Sequence, residues 1–211
     1  MVDLNAFPIF SAHPAALKET SADERKKGVP PAYMTESTLP VINFDEVKGA
    51  YIRGLSLSET PKSVDALFMK DEHTPVFVEF KNGRIGHKEQ YSVRKKIYDS
   101  LLIFSDITSL TISDLRERME YILVYNETAN PNQSARPEKD QVQVSPSFDT
   151  IAKTFRGYAQ EEYVCFGLKD FQRYCFKAVH TYTQAEFESY LAALPRFSPA
   201  PSGGNAAPAR I

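Results

Sequence analysis

Pro75-Val-Phe-Val-Glu-Phe-Lys-Asn82 decides the fold of this chain, because it is an apolar segment that contains both an acid and a base. The apolar side chains of 76–78 would lie on both faces of a strand, which is typical of a strand covered on both sides. Side chains two residues apart lie on the same face, so Glu79 and Lys81 are expected side by side. Such charges are costly in a core unless they are paired or bind a ligand.

A second apolar segment, Ser63-Val-Asp-Ala-Leu-Phe-Met-Lys70, comes just before it and is separated from it by the polar turn 71–74. The two segments therefore predict neighbouring strands over 63–70 and 75–82. Asp65 lies within the apolar run of the first strand, close in sequence to the acid and base of the second. We interpret the three charged residues as a metal-binding acidic cluster with an adjacent lysine.

The composition indicates a globular protein. The chain has 211 residues, of which 42% are hydrophobic and 12% aromatic, enough for one domain with a proper core. With 25 basic and 27 acidic side chains the formal net charge is -2, so no global field attracts nucleic acid. A local basic groove remains compatible with this charge.

Location is inferred from features that the sequence lacks. The first six residues have no charged start followed by a long apolar run, so we expect no signal peptide. No apolar run approaches membrane-spanning length. Cys165 and Cys175 are expected to be buried reduced thiols. These observations favour a cytoplasmic protein that does not contact a membrane.

The helices and strands are expected to alternate along the chain. A helix over 43–52 begins at Asn43, and a longer one over 87–104 carries apolar residues at Tyr91, Ile97, Tyr98, Leu101 and Leu102. Its opposite side carries Lys88, Arg94, Lys95 and Lys96. A helix at 113–119 and a buried strand at 121–125 come next. Further on we expect a helix at 148–155, strands at 163–168 and 174–183, and a helix at 183–192 capped by Thr183 with Glu186.

This pattern divides the chain into five regions. They are an irregular N-terminal segment (1–42), a core (43–126), a mobile polar loop (127–147), C-terminal strands and a helix that complete the same domain (148–197), and a disordered tail (198–211).

The order of these elements resembles the PD-(D/E)XK nuclease superfamily. Val64-Asp65-Ala66 matches the aspartate position of that family, and Glu79-Phe80-Lys81 matches its (D/E)-x-K element. Pro61 lies four residues before Asp65, so the proline that names the motif is not adjacent. The resemblance covers 43–126. It implies an α+β (α/β) restriction-endonuclease-like core, with a mixed sheet flanked by helices in the order αβββαβ, extended here by a C-terminal strand and helix.

The resemblance also implies an activity. Family members are metal-dependent nucleases in which the two acids bind Mg²⁺ or Mn²⁺ and the lysine positions or activates the attacking water. Here these roles fall to Asp65, Glu79 and Lys81, with the carbonyl of Phe80 as a further metal ligand. Hard divalent cations prefer such oxygen ligands. The expected substrate is DNA rather than RNA.

Two further positions are implied by the resemblance. An acid on the preceding helix is expected, with Glu46 first and Asp45 second. A Gln or Lys on the following helix is expected, with Gln90 first and Lys88 or Lys95 as alternatives. Contacts with nucleic-acid phosphates are expected from Lys88, Arg94 and Lys95.

Two other hypotheses stay open. The chain could be a catalytically inactive nuclease-fold module, related to phage or defence systems, that binds nucleic acid or a protein through its aromatic segment 155–190. Alternatively, it could be an α+β protein in which Glu79 and Lys81 form only a surface pair. Since enzymes of this type often act as dimers, a homodimer or a larger complex is a further expectation.

Overall fold

The computed structural model describes residues 3–23, 30–131 and 163–194. Its strands are β1 (Pro14–Ala16), β2 (Ala22–Asp23), β3 (Ala32–Tyr33), β4 (Pro40–Asn43), β5 (Ala66–Met69), β6 (Pro75–Lys81), β7 (Glu120–Tyr125) and β8 (Ala178–Thr183). Its helices are α1 (Pro8–Ser11), α2 (Leu17–Thr20), α3 (Phe44–Tyr51), α4 (His87–Thr108), α5 (Ile112–Arg118) and α6 (Gln184–Ala193). Short 3-10 turns lie at Leu4–Ala6 and Lys169–Phe171.

The central element is a six-stranded mixed sheet in the order β1-β4-β5-β6-β7-β8. The strands from β1 to β6 pair antiparallel, whereas β6, β7 and β8 run parallel. A parallel pair needs a crossover connection, which α4 and α5 provide between β6 and β7. The strands β2 and β3 form a separate two-stranded sheet. The class is therefore α+β with a mixed sheet, as the sequence predicts.

Both faces of the sheet are covered. On one face, Phe77 and Tyr121 belong to a core cluster that includes Ile97 and Phe104 of α4. On the other, β-strand residues including Val76 and Val78 share a cluster with Leu17 of α2 and Phe187 of α6. The expectation that β6 is covered on both sides is confirmed, since residues 75–80 are all buried.

Two helix starts agree with the capping residues expected from sequence. Asn43 Oδ1 accepts a hydrogen bond from the backbone N–H of Glu46 at 3.3 Å. At the start of α6, Glu186 N–H donates to Thr183 Oγ1 at 3.2 Å, and the Glu186 carboxylate accepts from Thr183 N–H at 2.8 Å. These bonds satisfy donors that the first turn leaves unpaired, so short local motifs fix both helix boundaries.

The N-terminal segment differs from the expectation. The sequence predicts an irregular segment over 1–42, but β1 and β4 extend the main sheet from 14–16 and 40–43. Two strands of the main sheet, β1 and β4, therefore precede α3, and two strands rather than three lie between α3 and α4. Counted from α3, the order αβββαβ is therefore not confirmed. The described elements support the mixed α+β class without singling out a restriction-endonuclease-like fold.

The predicted strand at 163–168 is wrong. Phe166 and Gly167 have φ values of 58° and 65°, a left-handed conformation that ends an extended strand, and the chain turns there. Arg173 is also left-handed, with φ of 67°. Strand β8 consequently begins only at Ala178, later than the predicted start at 174.

The predicted apolar stripe of α4 is wrong in part. Tyr91, Tyr98 and Leu102 are expected in the stripe, but they are 71%, 45% and 67% exposed. The expected residues Ile97 and Leu101 do face the core. The long helix is therefore rotated relative to the expectation, with its tyrosines turned toward solvent.

Several expectations concern residues outside the described ranges. They are the helix at 148–155, most of the loop 127–147 and the tail 198–211. The described residues of that loop are anchored by the side chain of Asn130, which accepts from Ile85 N–H at 2.8 Å and donates to Gly83 O at 3.1 Å. Cys165 and Cys175 are buried thiols, as expected. No helix within the described ranges is long and apolar enough to cross a membrane.

Candidate active site

Asp65 lies at the point where the pairing of β5 with β6 ends. Its backbone N–H donates to Val78 O at 3.0 Å, and its carboxylate accepts a short 2.6 Å hydrogen bond from the backbone N–H of Phe80. The Asp65 carboxylate therefore satisfies the Phe80 N–H, a donor of β6 that has passed the end of the pairing with β5. This bond fixes the direction of the Asp65 side chain relative to β6.

The segment just before Asp65 is tied to α4. Val64 N–H donates to the buried Ser100 Oγ at 2.9 Å, and Lys62 N–H donates to Asp99 Oδ2 at 2.7 Å. The Lys62 ammonium also donates to Ser92 Oγ at 2.8 Å. These three bonds hold the start of β5 against one face of α4, so the distance between Asp65 and that helix is well defined.

Glu79 and Lys81 stand side by side on β6, as their spacing predicts. Glu79 is fully buried, and its Oε1 lies 2.9 Å from Lys81 Nζ. The Lys81 side chain is 16% exposed. Phe80, between them, points to the opposite face of the sheet, where its ring packs edge-on against Phe187 with 5.7 Å between centroids. The third hypothesis, a pair on the surface, does not apply to Glu79.

Lys96 of α4 brings the two acids together. Its ammonium lies 3.0 Å from Asp65 Oδ1 and 2.8 Å from the carboxylate of Glu79. Asp65, Glu79 and Lys81, the three residues with the sharpest sequence-based roles, therefore belong to one cluster. We call the four residues Asp65, Glu79, Lys81 and Lys96 the acid–lysine cluster. Two carboxylates from different strands converge on one cation.

The cluster has perturbed protonation equilibria. Burial and the neighbouring charge of Glu79 raise the pKa of Asp65 to about 7, although Lys96 and the Phe80 N–H oppose this shift. Burial alone would lower the pKa of Lys96, but the charges of Glu79 and Asp65 outweigh burial and raise that pKa. A largely buried acid with a strongly perturbed pKa beside a polar groove is typical of functional sites.

A groove gives solvent access to this cluster. It has a volume of about 180 Å³ and is lined on one side by Asp65, Lys81 and Lys96, together with Phe80 and Asn82. The other wall comes from residues 20–23 and Met34 of the N-terminal segment. Asn82 Nδ2 donates to Asp23 Oδ2 at 2.9 Å and so joins the two walls. The segment expected to be irregular thus forms half of the groove.

The acid–lysine cluster is the candidate donor set for a divalent cation. In the described parts of the chain, no group of three or more His, Cys, Asp or Glu side chains could hold a metal ion. The acid–lysine cluster supplies two carboxylates, and Mg²⁺ in proteins is often bound by one or two carboxylates, waters and substrate phosphates. The ammonium of Lys96 is a stand-in cation that already contacts both carboxylates. The role of the Phe80 carbonyl as a further ligand stays a prediction.

The two acids of α3 have surroundings that reverse the order of preference expected from sequence. Glu46, the first choice, lies 3.2 Å from His13 Nδ1, and its side chain is 58% exposed. Asp45, the second choice, accepts hydrogen bonds from Ser63 Oγ and Lys48 Nζ. Burial acts to raise the pKa of Asp45, but these two bonds and the charge of Lys96 lower it. Asp45 is therefore the acid of α3 that interacts electrostatically with the cluster.

The contact of α4 with the two acids of the cluster comes from Lys96, and the residues predicted on α4 have other surroundings. Gln90 precedes Lys96 by six residues, which rotates its side chain by about 120° around the helix axis. Lys88 is exposed. Arg94 Nη2 donates to Gly167 O at 3.3 Å, and Lys95 Nζ lies 3.2 Å from Asp99 Oδ2. Two of the three residues expected to bind phosphates thus have intramolecular partners.

Lys96 is the residue of the acid–lysine cluster that the sequence interpretation missed, since that interpretation groups it with Arg94 and Lys95 on the basic outer side of α4. Its spacing does contain a signal, because Lys96 follows the buried Val93 by three residues and precedes the buried Ser100 by four. Positions three and four apart share a helix face, so this lysine belongs to the inner side.

A second buried ion pair lies toward the other end of the sheet. Lys70 Nζ donates to both carboxylate oxygens of Glu120, at 3.0 Å and 2.9 Å. His180 Nε2 lies 3.7 Å from the same carboxylate, and His180 Nδ1 lies 3.1 Å from Tyr182 Oη. Burial acts to raise the pKa of Glu120, but the contact with His180 and the hydrogen bonds from Lys70 lower it. This group is a paired acid without a second carboxylate.

Comparison of the chain with protein-family models, with curated proteins and with solved structures gives no match.

Proposed function

We propose that this protein is a metal-dependent nuclease that hydrolyses phosphodiester bonds, in DNA rather than RNA. One observation carries the proposal: the carboxylates of Asp65 and Glu79 converge on a single cation beside Lys81 at the edge of a polar groove. The residue types and their spacing agree with the resemblance drawn from the sequence. The specific restriction-endonuclease-like fold is part of the same proposal.

Each residue of the cluster has a role in this reaction. Asp65 and Glu79 would hold the divalent cation, Mg²⁺ or Mn²⁺. The Phe80 N–H keeps the Asp65 carboxylate oriented. A divalent cation bound there supplies Lewis acidity that lowers the pKa of a bound water and neutralises charge on the phosphate. Lys81, beside Glu79, orients the attacking water and stabilises charge on the phosphorus-bound oxygens.

The groove accounts for access of the substrate. Lys81 and Lys96 present two ammonium groups to a cavity that also contains the amide of Asn82. A phosphate that enters this groove would contact the cationic side chains on one wall. The hydrolysis itself adds one water across one P–O bond. Contacts with the rest of the nucleic acid would give affinity that falls with salt.

The direct test is an endonuclease and exonuclease assay on a panel of single-stranded, double-stranded and branched DNA and on RNA, with Mg²⁺ or Mn²⁺. Wild-type protein is expected to cleave at least one substrate, and Asp65→Asn and Glu79→Gln are expected to lose about 100-fold or more of the rate. Glu120→Gln is the matched control, because it changes a buried acid on the same sheet. Absence of cleavage by wild type, or equal cleavage by Asp65→Asn and wild type, contradicts the proposal.

A second candidate is a non-catalytic nucleic-acid- or protein-binding module. The observation that favours it is the charge balance of the cluster, in which two lysines already face the two acids. Under this alternative the cluster is a structural ion network. Binding of DNA without cleavage, with an affinity unchanged by Mn²⁺ and by Asp65→Asn, would select this candidate over the nuclease.

A further inference from the structure

Lys96 contacts the same two carboxylates to which the proposed function assigns the metal. Its ammonium is 3.0 Å from Asp65 Oδ1 and 2.8 Å from both oxygens of Glu79. An ammonium and a divalent ion between the same oxygens would repel each other strongly at such separations. The two cations therefore exclude one another from this position.

The surroundings of Lys96 allow its head group to move. The side chain is 17% exposed and lines the 180 Å³ groove, so the ammonium has a route toward solvent. Lysine carries its charge on a flexible four-carbon stem, which can stay on the inner side of α4 while the head group turns. A rotation of the side chain alone is enough, so the backbone of α4 can keep its position.

A second acid is available to the displaced ammonium. Asp45 of α3 is fixed by hydrogen bonds from Ser63 and Lys48, and the charge of Lys96 contributes to lowering the pKa of Asp45. Lys96 thus already interacts electrostatically with a carboxylate outside the proposed pair of metal ligands. The groove and Asp45 together provide space and compensation for the charge.

We propose that Lys96 is an internal counter-ion, which holds Asp65 and Glu79 in place and which a divalent cation displaces in order to bind. This inference rests on the proposed function, since it concerns the same two carboxylates. It predicts that Lys96 weakens metal binding while it keeps the two acids from repelling each other. After displacement, the ammonium faces the groove, where a phosphate can meet it.

The test is calorimetric titration of the full-length protein with Mn²⁺ after dialysis against a chelator. Lys96→Gln, which removes the charge and keeps a polar side chain, is expected to bind Mn²⁺ at least about tenfold more tightly than wild type. Lys70→Gln is the matched control, because it removes a lysine that pairs with the buried Glu120 outside the cluster, and it is expected to stay within about threefold of wild type. Lys96→Arg, which keeps the charge, is expected to bind no more tightly than wild type.

The outcomes separate this inference from the proposed function. In one outcome, wild type binds Mn²⁺ through Asp65, and it binds as tightly as Lys96→Gln or more tightly. This result overturns the role of Lys96 and leaves the nuclease proposal in place. Binding by Lys96→Gln together with silence of wild type overturns the displacement of Lys96 by a divalent cation and also contradicts the nuclease proposal. Silence of both proteins overturns both.

A measurement on wild type covers the case in which Lys96→Gln fails to fold. Titration with diamagnetic Mg²⁺ is followed through the NMR signals of the Lys96 side chain, assigned by comparison with Lys96→Arg. The side-chain Hε and Cε signals are expected to shift with the same Mg²⁺ dependence as the signals of Asp65. Signals of Lys96 that stay constant while those of Asp65 saturate overturn the proposal.

Discussion

The central sheet places a carboxylate beside a lysine in two buried or largely buried sites, and the two sites balance charge differently. In the acid–lysine cluster, Asp65 and Glu79 share the ammonium of Lys96. On the opposite face, near the start of β7, Glu120 alone receives both hydrogen bonds from Lys70. The pKa of Asp65 is raised to about 7, whereas that of Glu120 is lowered.

The difference separates an ion pair whose partners favour the charged acid from a cluster in which a second acid disfavours the charge of Asp65. Glu120 has the surroundings of a structural acid, because its partners favour the charged form. Asp65 is held near a second acid that disfavours its charge, and it faces a groove. An arrangement that raises the pKa of a largely buried acid costs stability, and such costs are concentrated at functional sites.

The largest expected effect is on stability. Glu79→Ala is expected to lower the free energy of unfolding by about 3–5 kcal/mol, because it leaves Lys81 and Lys96 largely buried with one carboxylate between them. Glu120→Ala is expected to cost less, about 1–3 kcal/mol, because Lys70 is 30% exposed and can turn toward water. Urea denaturation measures both. Equal costs, or a larger cost for Glu120→Ala, would remove the distinction between the two sites.

The second effect is the dependence of stability on pH, which has opposite signs at the two sites. The folded pKa of Asp65, about 7, lies above the unfolded value of about 3.9, so the folded state binds more protons between these pH values. The contribution of Asp65 therefore falls as pH rises from about 4 to about 7, by up to about 1.4 kcal/mol per pH unit. Wild type minus Asp65→Asn, measured by urea denaturation across this range, should give that slope. A difference in the free energy of unfolding that does not change with pH would contradict this prediction.

Glu120 is expected to show the opposite dependence of stability on pH, at acidic pH. Its folded pKa is lowered, so its contribution to stability is present above the unfolded pKa and is lost as pH falls through the folded pKa. The difference between wild type and Glu120→Gln should accordingly shrink below about pH 4. A difference that grows on acidification would reverse the sign assigned to this pair.

The third effect concerns Lys81 and Lys70, one lysine from each of the two sites. Lys81→Met is expected to reduce the rate of phosphodiester cleavage by about 10²–10³-fold, because it removes a donor aimed at developing charge. Mn²⁺ affinity should change far less, since Lys81 contacts Glu79 but is not one of the proposed ligands. Lys70→Met should leave the rate within about threefold. Loss of activity in both variants, in proportion to their loss of stability, would indicate a general folding effect instead.

The smallest effect is expected at Glu46. Its side chain is 58% exposed and contacts His13, so Glu46→Ala should change the cleavage rate by less than about threefold. Asp45→Ala should have the larger effect, because Asp45 holds Ser63 near the start of β5 and interacts electrostatically with Lys96. The measurement is the cleavage rate of the two variants at equal protein concentration. The reverse order would restore Glu46 to the role that the family resemblance gives it.

Much of the fold is local and can be predicted from sequence. The caps at Asn43 and Thr183 and the apolar run of β6 each depend on residues within a few positions of one another. The strands β1 and β4 escape prediction because they are three and four residues long and gain their stability from pairing with distant strands. The predicted strand at 163–168 fails because Phe166 and Gly167 both adopt a left-handed conformation, for which Gly167 is the local sequence signal.

The site is predictable to the extent that it depends on strand geometry. Alternation on β6 places Glu79 beside Lys81, and the antiparallel neighbour brings Asp65 to them. The contribution of Lys96 depends on how α4 is rotated against the sheet, which buries Val93 and exposes Tyr91. Rotation is set by packing over the whole helix, so the basic run 94–96 does not reveal which lysine points inward.

A divalent-cation site at Asp65 and Glu79, from which Lys96 is displaced, is the centre of the proposed mechanism. The most direct measurement is the anomalous difference map of a crystal grown with MnCl₂. We predict a peak about 2 Å from carboxylate oxygens of Asp65 and Glu79, with the Lys96 ammonium moved from its present distances of 3.0 Å and 2.8 Å. A map without a peak between these carboxylates, and with Lys96 still bridging them, would contradict the mechanism.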